Sequence, residues 1–139
     1  MNQPKANKAN ATLHVIEGRL PVAETVSRLK AALAARSIPV FATFDHAANA
    51  TEVGLDLRPT TVVVFGSPAV GTALMQADQR IAIELPLRIA VWEDEAGRTQ
   101  IAFTSMQALT ARYDLANLPA IPKMQTLLEA LAAEAADNQ

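Results

Sequence analysis

The sequence has no cysteine. That absence removes disulfides, thiolate zinc sites, iron–sulfur clusters and cysteine nucleophiles together, and it leaves the redox compartment open. Aromatic residues are scarce, with one tryptophan, one tyrosine and four phenylalanines, so a core has to be assembled from Ala, Val, Ile and Leu. Basic residues are not in excess: 12 Lys and Arg against 14 Asp and Glu give a net charge of −2. With both signs interspersed there is no clustered cationic footprint for a phosphate backbone, and no nucleic-acid partner is expected. No uncharged apolar run approaches the ~18 residues of a membrane span. The N-terminus, MNQPKANKANATLHVIEG, lacks the apolar segment of a signal peptide. A cytoplasmic protein with no membrane partner is the expectation.

What is present suits one compact domain. The 139 residues fall in the usual domain range of ~100–150, and half of them are apolar, which excludes general disorder. Residues 1–11 alternate Asn, Lys and Ala with nothing to bury and read as a flexible tail. A single α+β domain is expected over 12–135, followed by a short flexible tail over 136–139.

Alternation from Thr12 to Glu17 predicts a first strand, broken by Gly18. Val22, Val26, Leu29 and Leu33 then recur at spacings of four, three and four, which draws one stripe along a helix from Pro21 to Arg36. Pro39 to Asp45 is a second strand, and His46 to Val53 a short helix ended by Gly54. Thr61 to Phe65 (TVVVF) is the most apolar strand, with β-branched residues on both faces. Such a strand is usually central and covered on both sides, a hint of a second subunit. Ser67 and Pro68 form an N-cap and first-turn pair for a helix to about Ala77. Leu85 to Glu93 and Thr99 to Phe103, joined by Asp94-Glu95-Ala96-Gly97, predict an antiparallel hairpin. Ile81 and Ile83 extend its first arm or make a separate strand. Ser105 caps a helix through Arg112, and Leu118 to Ala135 forms the last one, striped by Ile121, Met124, Leu128 and Leu131. The hairpin makes the sheet at least partly antiparallel, hence α+β.

Chemistry-bearing residues concentrate between Phe44 and Met75. Asp45 beside His46 is a familiar acid–imidazole pairing, yet neighbours on a strand point to opposite faces, so Asp45 is equally a helix cap. His14 is the only other histidine. No metal-ligand spacing appears and no metal or cofactor is expected. Gly66-Ser67-Pro68-Ala69-Val70-Gly71-Thr72 follows a strand and opens a helix, a geometry that binds anions through backbone N–H groups. It lacks the Lys-Ser/Thr ending of a Walker loop and the spacing of a nucleophile elbow; ordinary helix capping explains it as well. Gly71 inside a helix costs about 1 kcal/mol relative to Ala, which suggests close backbone approach. Arg58 is the best-placed cation near this stretch, and Trp92 is a core or interface anchor.

Taken together, Asp45-His46, Gly54, Leu57-Arg58-Pro59-Thr60, Phe65-Gly66-x-Pro68, Gly71-Thr72-x-Leu74-Met75-Gln76 and Leu85-Pro86-Leu87 resemble the domain-of-unknown-function 302 family. Val91-Trp92-Glu93-Asp94 and Ala111-Arg112-Tyr113 are similar to it as well. The resemblance covers about residues 20–115. It implies a mainly antiparallel sheet with helices on one face, of the TATA-box-binding-protein-like β-α-β4-α type, a bacterial or archaeal source and a homodimer. It implies no established activity.

Three functional readings follow. The first is a binding module for a small anion or amphiphile, formed by Ser67, Gly71 and Thr72 with His46 and Arg58 at the rim. The second is a homodimeric protein-interaction domain, and the third an enzyme using His46, with Asp45, as acid or base.

Overall fold

The structure is a computed structural model that describes residues 12–115 and 117–137. The tail expected over residues 1–11 lies outside the described residues, as do 138 and 139. In chain order the elements are β1 (Leu13–Gly18), α1 (Val22–Ala35), β2 (Val40–Asp45), α2 (His46–Glu52), β3 (Thr60–Phe65), α3 (Pro68–Ala77), a 3₁₀ helix (Gln79–Glu84), β4 (Leu87–Glu93), β5 (Thr99–Thr104), α4 (Met106–Arg112) and α5 (Ala120–Ala136). The five strands form one sheet in the order β1-β5-β4-β3-β2, and every neighbouring pair is antiparallel. This is the α+β architecture expected, with the antiparallel pairing extended from the hairpin to the whole sheet.

Helix α1 lies over β3 and β4, and α5 over β1 and β5. Their stripes explain why. Leu29 and Leu33 of α1 and Leu128 and Leu131 of α5 are sealed from solvent together with Val63, Phe65, Ile89, Val91 and Ile101 of the sheet. Helix α5 runs one residue past its expected end. Ala136 is buried, its carbonyl accepts a hydrogen bond from the Arg19 N–H at 3.0 Å, and Asp137 pairs with Arg28 at 3.3 Å. These contacts remove two residues from the expected C-terminal tail.

The loop into α1 is fixed by two buried threonines, Thr25 and Thr99. The Thr99 hydroxyl donates to the Leu20 carbonyl at 2.6 Å, and the Thr25 hydroxyl donates to the Pro21 carbonyl at 2.9 Å with the Leu20 carbonyl at 3.2 Å beside it. The first turn of α1 is thereby tied to β5. At its far end Arg36 forms a fork-like pair with Glu134 of α5, so α1 is joined to the C-terminal end of α5 both at mid-helix, through Arg28, and at its own C-terminus.

Two local expectations change. Ile81 and Ile83 belong to neither arm of the hairpin. Asp78 Oδ1 accepts the Arg80 N–H at 3.1 Å and starts a 3₁₀ helix instead. Its turn sends Ile81 into the core and leaves Ile83 76% exposed, where a strand would have placed both on one face. Strand β2 does not keep its simple alternation either. The register slips between Val40 and Ala42, so Phe41 is an extra residue at a bulge.

Strand β3 sits between β2 and β4, with Thr61, Val63 and Phe65 buried and Thr60, Val62 and Val64 half-buried. The expectation of cover on both faces is met on the helix side only.

The α1 stripe carries a direct test. Leu29→Ala removes a side chain with no solvent exposure, and is expected to lower unfolding stability by ~2–5 kcal/mol. Urea denaturation checks it through a reduced midpoint at unchanged slope.

Candidate functional site

Strand β3 ends at the fully buried Phe65, and the chain turns through Gly66 and Ser67 into α3. Ser67 is extended and accepts the Val70 N–H on its hydroxyl at 3.5 Å, while Pro68 occupies the first helical turn. The cap expected from the sequence is in place. Beside it lies a groove of about 320 Å³ whose lining includes Phe41, Ser67, Gly71, Thr72, Met75 and Pro86. One wall is the start of α3. The facing wall is the end of the 3₁₀ segment and the Leu85-Pro86-Leu87 stretch that enters β4.

No charged side chain lines this groove. The two hydroxyls of Ser67 and Thr72 are its side-chain polar groups. Gly71 has a different role from the one expected. A Cβ placed there would meet Leu85 Cδ1 at 3.7 Å and Met75 Cε at 4.0 Å, ordinary contact distances with flexible side-chain ends and with no backbone nearby. Its missing side chain keeps groove space open; it does not permit backbone approach.

His46 and Arg58 are elsewhere. Arg58 precedes β3 and Gly66 follows it, so six strand residues separate them, a span of roughly 20 Å. Asp45 pairs in register with Thr61, which puts Asp45 and His46 at the Arg58 end of the sheet. The expected single cluster is therefore split between opposite ends of β3. Asp45 Oδ1 accepts the Ala48 N–H at 2.9 Å and caps α2. His46 is exposed, with its ring stacked on Phe44 at a centroid distance of 6.4 Å. Among the described residues no carboxylate orients the imidazole, so acid–base work by this pair has no geometric support. Arg58 donates from Nε to the Glu93 carbonyl at 3.1 Å and joins the entry of β3 to the end of β4. His14 stacks on Phe103 at 4.7 Å on β1, the opposite edge of the sheet from β2. The two histidines cannot share a metal ion.

With this geometry in view, the comparisons with known proteins are specific. The family model described as domain of unknown function DUF302 matches residues 14–133. The chain belongs to the DUF302 family. A solved structure of an uncharacterized conserved DUF302 protein from Bacillus stearothermophilus superposes with a TM-score of 0.70 at 20% identity, covering 91% of this chain and 96% of that one. That likeness establishes the fold. Among curated proteins, the chain is 38% identical over 112 residues to a protein named fluoride-specific ion channel FluC 1 of Brucella suis. It is equally similar to one named FluC 2 of Brucella melitensis. These matches cover 81% of this chain but only 44% and 42% of those relatives. The DUF302 chain thus spans less than half the length of the curated relatives it matches. No helix among its described residues is long and apolar enough to cross a membrane.

This DUF302 chain also holds a polar network that its sequence did not announce. Asp78 and Glu84 bracket the 3₁₀ helix, with side chains only 8% and 14% exposed. Asp78 accepts from the Arg80 guanidinium at 2.7 and 3.0 Å and from the Asp114 N–H at 2.8 Å. Glu84 accepts from the Tyr113 hydroxyl at 2.6 Å and from Arg112 at 3.3 Å. Both carboxylates thereby tie the groove's 3₁₀ wall to the end of α4. The Arg80 guanidinium, helped by the Asp114 N–H, holds the Asp78 carboxyl far below the usual carboxylate range. The hydrogen bond to Glu84 raises the Tyr113 phenol. The local signal was Asp78-x-Arg80; the partners on 112–114 are distant in sequence.

The Asp78 clamp predicts an acid response of definite sign. Its folded pKa lies below that of an unfolded aspartate, about 3.9. Its stabilisation is complete above that value and is lost as the pH falls from there toward the folded pKa. Asp78→Asn should melt at a lower temperature than the parent at pH 7, and the gap should narrow between pH 5 and pH 3. Parallel melting curves across that range would exclude a stabilising role for the ionised Asp78. A residual acid slope is expected in the variant, because Arg36 holds Glu134 low and the Arg98 N–H holds Asp94 low.

Proposed function

We propose that this DUF302 chain is a binding module whose ligand is a small amphiphilic or neutral molecule held in the groove at the start of α3. The observation that carries this reading is the lining. Apolar side chains from four segments surround the space, two hydroxyls mark one wall, and no charge is present. Ligand pockets of this kind draw affinity from apolar burial and orientation from a few polar groups. The anion half of the sequence expectation has less support. The cation expected at its rim, Arg58, stands at the other end of β3 and donates to the Glu93 carbonyl. Ser67, Gly71 and Thr72 stay in the proposed site, and His46 and Arg58 leave it.

A second reading, homodimeric protein interaction, is favoured by a separate observation: the face of the sheet away from the helices has no covering layer among the described residues. The two readings concern different surfaces and are compatible. As for the Brucella relatives, we infer that the channel in their names belongs to the larger part of those proteins that this chain does not match. The shared segment is then a module carried beside a channel.

Titration with decanol, decanoate and inorganic sulfate, followed by thermal melting and native mass spectrometry, tests the groove. Decanol and decanoate should raise the melting temperature and appear as one-to-one complexes, while sulfate should do neither. Gly71→Leu fills the groove and should weaken decanol binding at least about tenfold, equivalent to 1.4 kcal/mol. It should leave the fold intact, since leucine is the better helix former. Unchanged decanol affinity in Gly71→Leu would rule the groove out.

A further inference from the structure

The bare face of the sheet carries an apolar row that crosses all five strands. Val15 pairs with Ala102, Ala102 with Ala90, Ala90 with Val62, and Val62 with Phe44. These positions alternate with Ile16, Ile101, Val91 and Val63, which lie under the helices, so the row points the other way. Ala102 and Ala90 keep its middle low, and Phe44 at one edge is 47% exposed. Two residues to either side of Ala90 on β4 stand Arg88 and Trp92, both on this same face. The Arg88 side chain is more than half exposed, with its guanidinium 4.0 Å from the Glu84 carboxylate.

We propose that a second copy of this chain covers the face, related by a two-fold axis that crosses the strands at Ala90 and sets Arg88 over the partner's Trp92. The proposal rests on the dimer reading above and adds its surface and its orientation. The central row has no charge, so it can face a copy of itself, as an isologous two-fold contact requires. Five strands, each taking up ~4.8 Å of width, and six residues at ~3.3 Å give a face of about 24 by 20 Å. Two such faces bury roughly 1,000 Å², the area at which specific interfaces begin.

Charge discriminates between an axis along the strands and one across them. A two-fold axis along β4 would stack Arg88 on the partner's Arg88, like charge on like. An axis across the strands exchanges the two ends of β4 and brings each guanidinium over an indole, an attractive cation–π geometry. It also stacks the central row on itself, strand by strand.

The test uses the full chain, with Trp92 as its sole tryptophan. Sedimentation equilibrium should give a dimer at tens of micromolar, and Trp92 emission should shift to the blue as the dimer forms. Val62→Glu should give a monomer with native circular dichroism. Phe44→Asp, at an exposed edge position, serves the same purpose if Val62→Glu fails to fold. Since the chain has no cysteine, Arg88→Cys and Trp92→Cys are clean labelling sites, and face-to-face sheets lie about 10 Å apart. A short bis-maleimide should cross-link a mixture of the two variants, and neither variant alone. A monomeric parent overturns the dimer reading and this inference together. A dimer that survives both charge substitutions overturns the face and leaves the dimer reading standing. Cross-linking of Arg88→Cys to itself overturns the orientation alone.

Discussion

The contact between α1 and α5 is the constraint on which the rest of the structure depends. Both long helices choose the same face of the sheet, and they are stitched to each other at Arg36–Glu134 and, through Arg28, at Asp137. Leu29, Leu33, Leu128 and Leu131 fill the space between them and the strands. With so few aromatic residues in the chain, this aliphatic packing supplies most of the buried apolar surface, the dominant favourable term in folding. Because two helices already cover β1, β5, β4 and part of β3, the shorter elements have only a strip left. Helix α3 and the 3₁₀ segment fill it, and the groove is the gap they leave between them.

That gap persists because its walls are held from behind. Asp78 and Glu84 do not face the groove; they reach back to 112–114 and fix the 3₁₀ segment against α4. Ala82 and Leu85, which do line the groove, are positioned as a consequence. The opposite wall is set by capping at Ser67 and by Phe65 beneath it. A nearly sealed carboxylate pair supporting an apolar wall is an arrangement in which the charged groups shape a surface they do not touch.

Much of this was legible in local sequence. The four-three-four spacing of α1, the Ser67-Pro68 and Asp45 caps, the Ser105 cap and the hairpin across Gly97 all act within a few residues, where propensity and pattern are informative. The features that escaped depend on partners far away in the chain. Ile81 and Ile83 have strand-like spacing, and Asp78 overrides it through a cap completed by the N–H of Asp114. The separation of His46 and Arg58 from Ser67 and Thr72 follows from β3 running between them, and proximity in sequence concealed it. Gly71 looked like a packing requirement because helix interiors rarely carry glycine; the space beside it shows otherwise. The apolarity of both faces of β3 was visible in TVVVF, but which face the helices would take was not.

Strand β2 shows how one edge serves two surfaces. In a regular strand Phe41 and Phe44 would already lie on opposite faces, and Val40 would share the face of Phe44. The slip at Val40 and Ala42 changes the phase. Val40 now pairs with Phe65 on the helix side, Phe41 is displaced toward Gly66, where an added Cβ would lie 3.7 Å from its ring, and Phe44 remains in the apolar row beside Val62. A bulge bends and twists the strand that carries it and re-aims a side chain. Here it delivers one phenylalanine to the groove and leaves the other on the open face. The same irregularity blunts β2 as an edge for indiscriminate strand addition, which leaves the open face, rather than this edge, as the surface for the second copy proposed above.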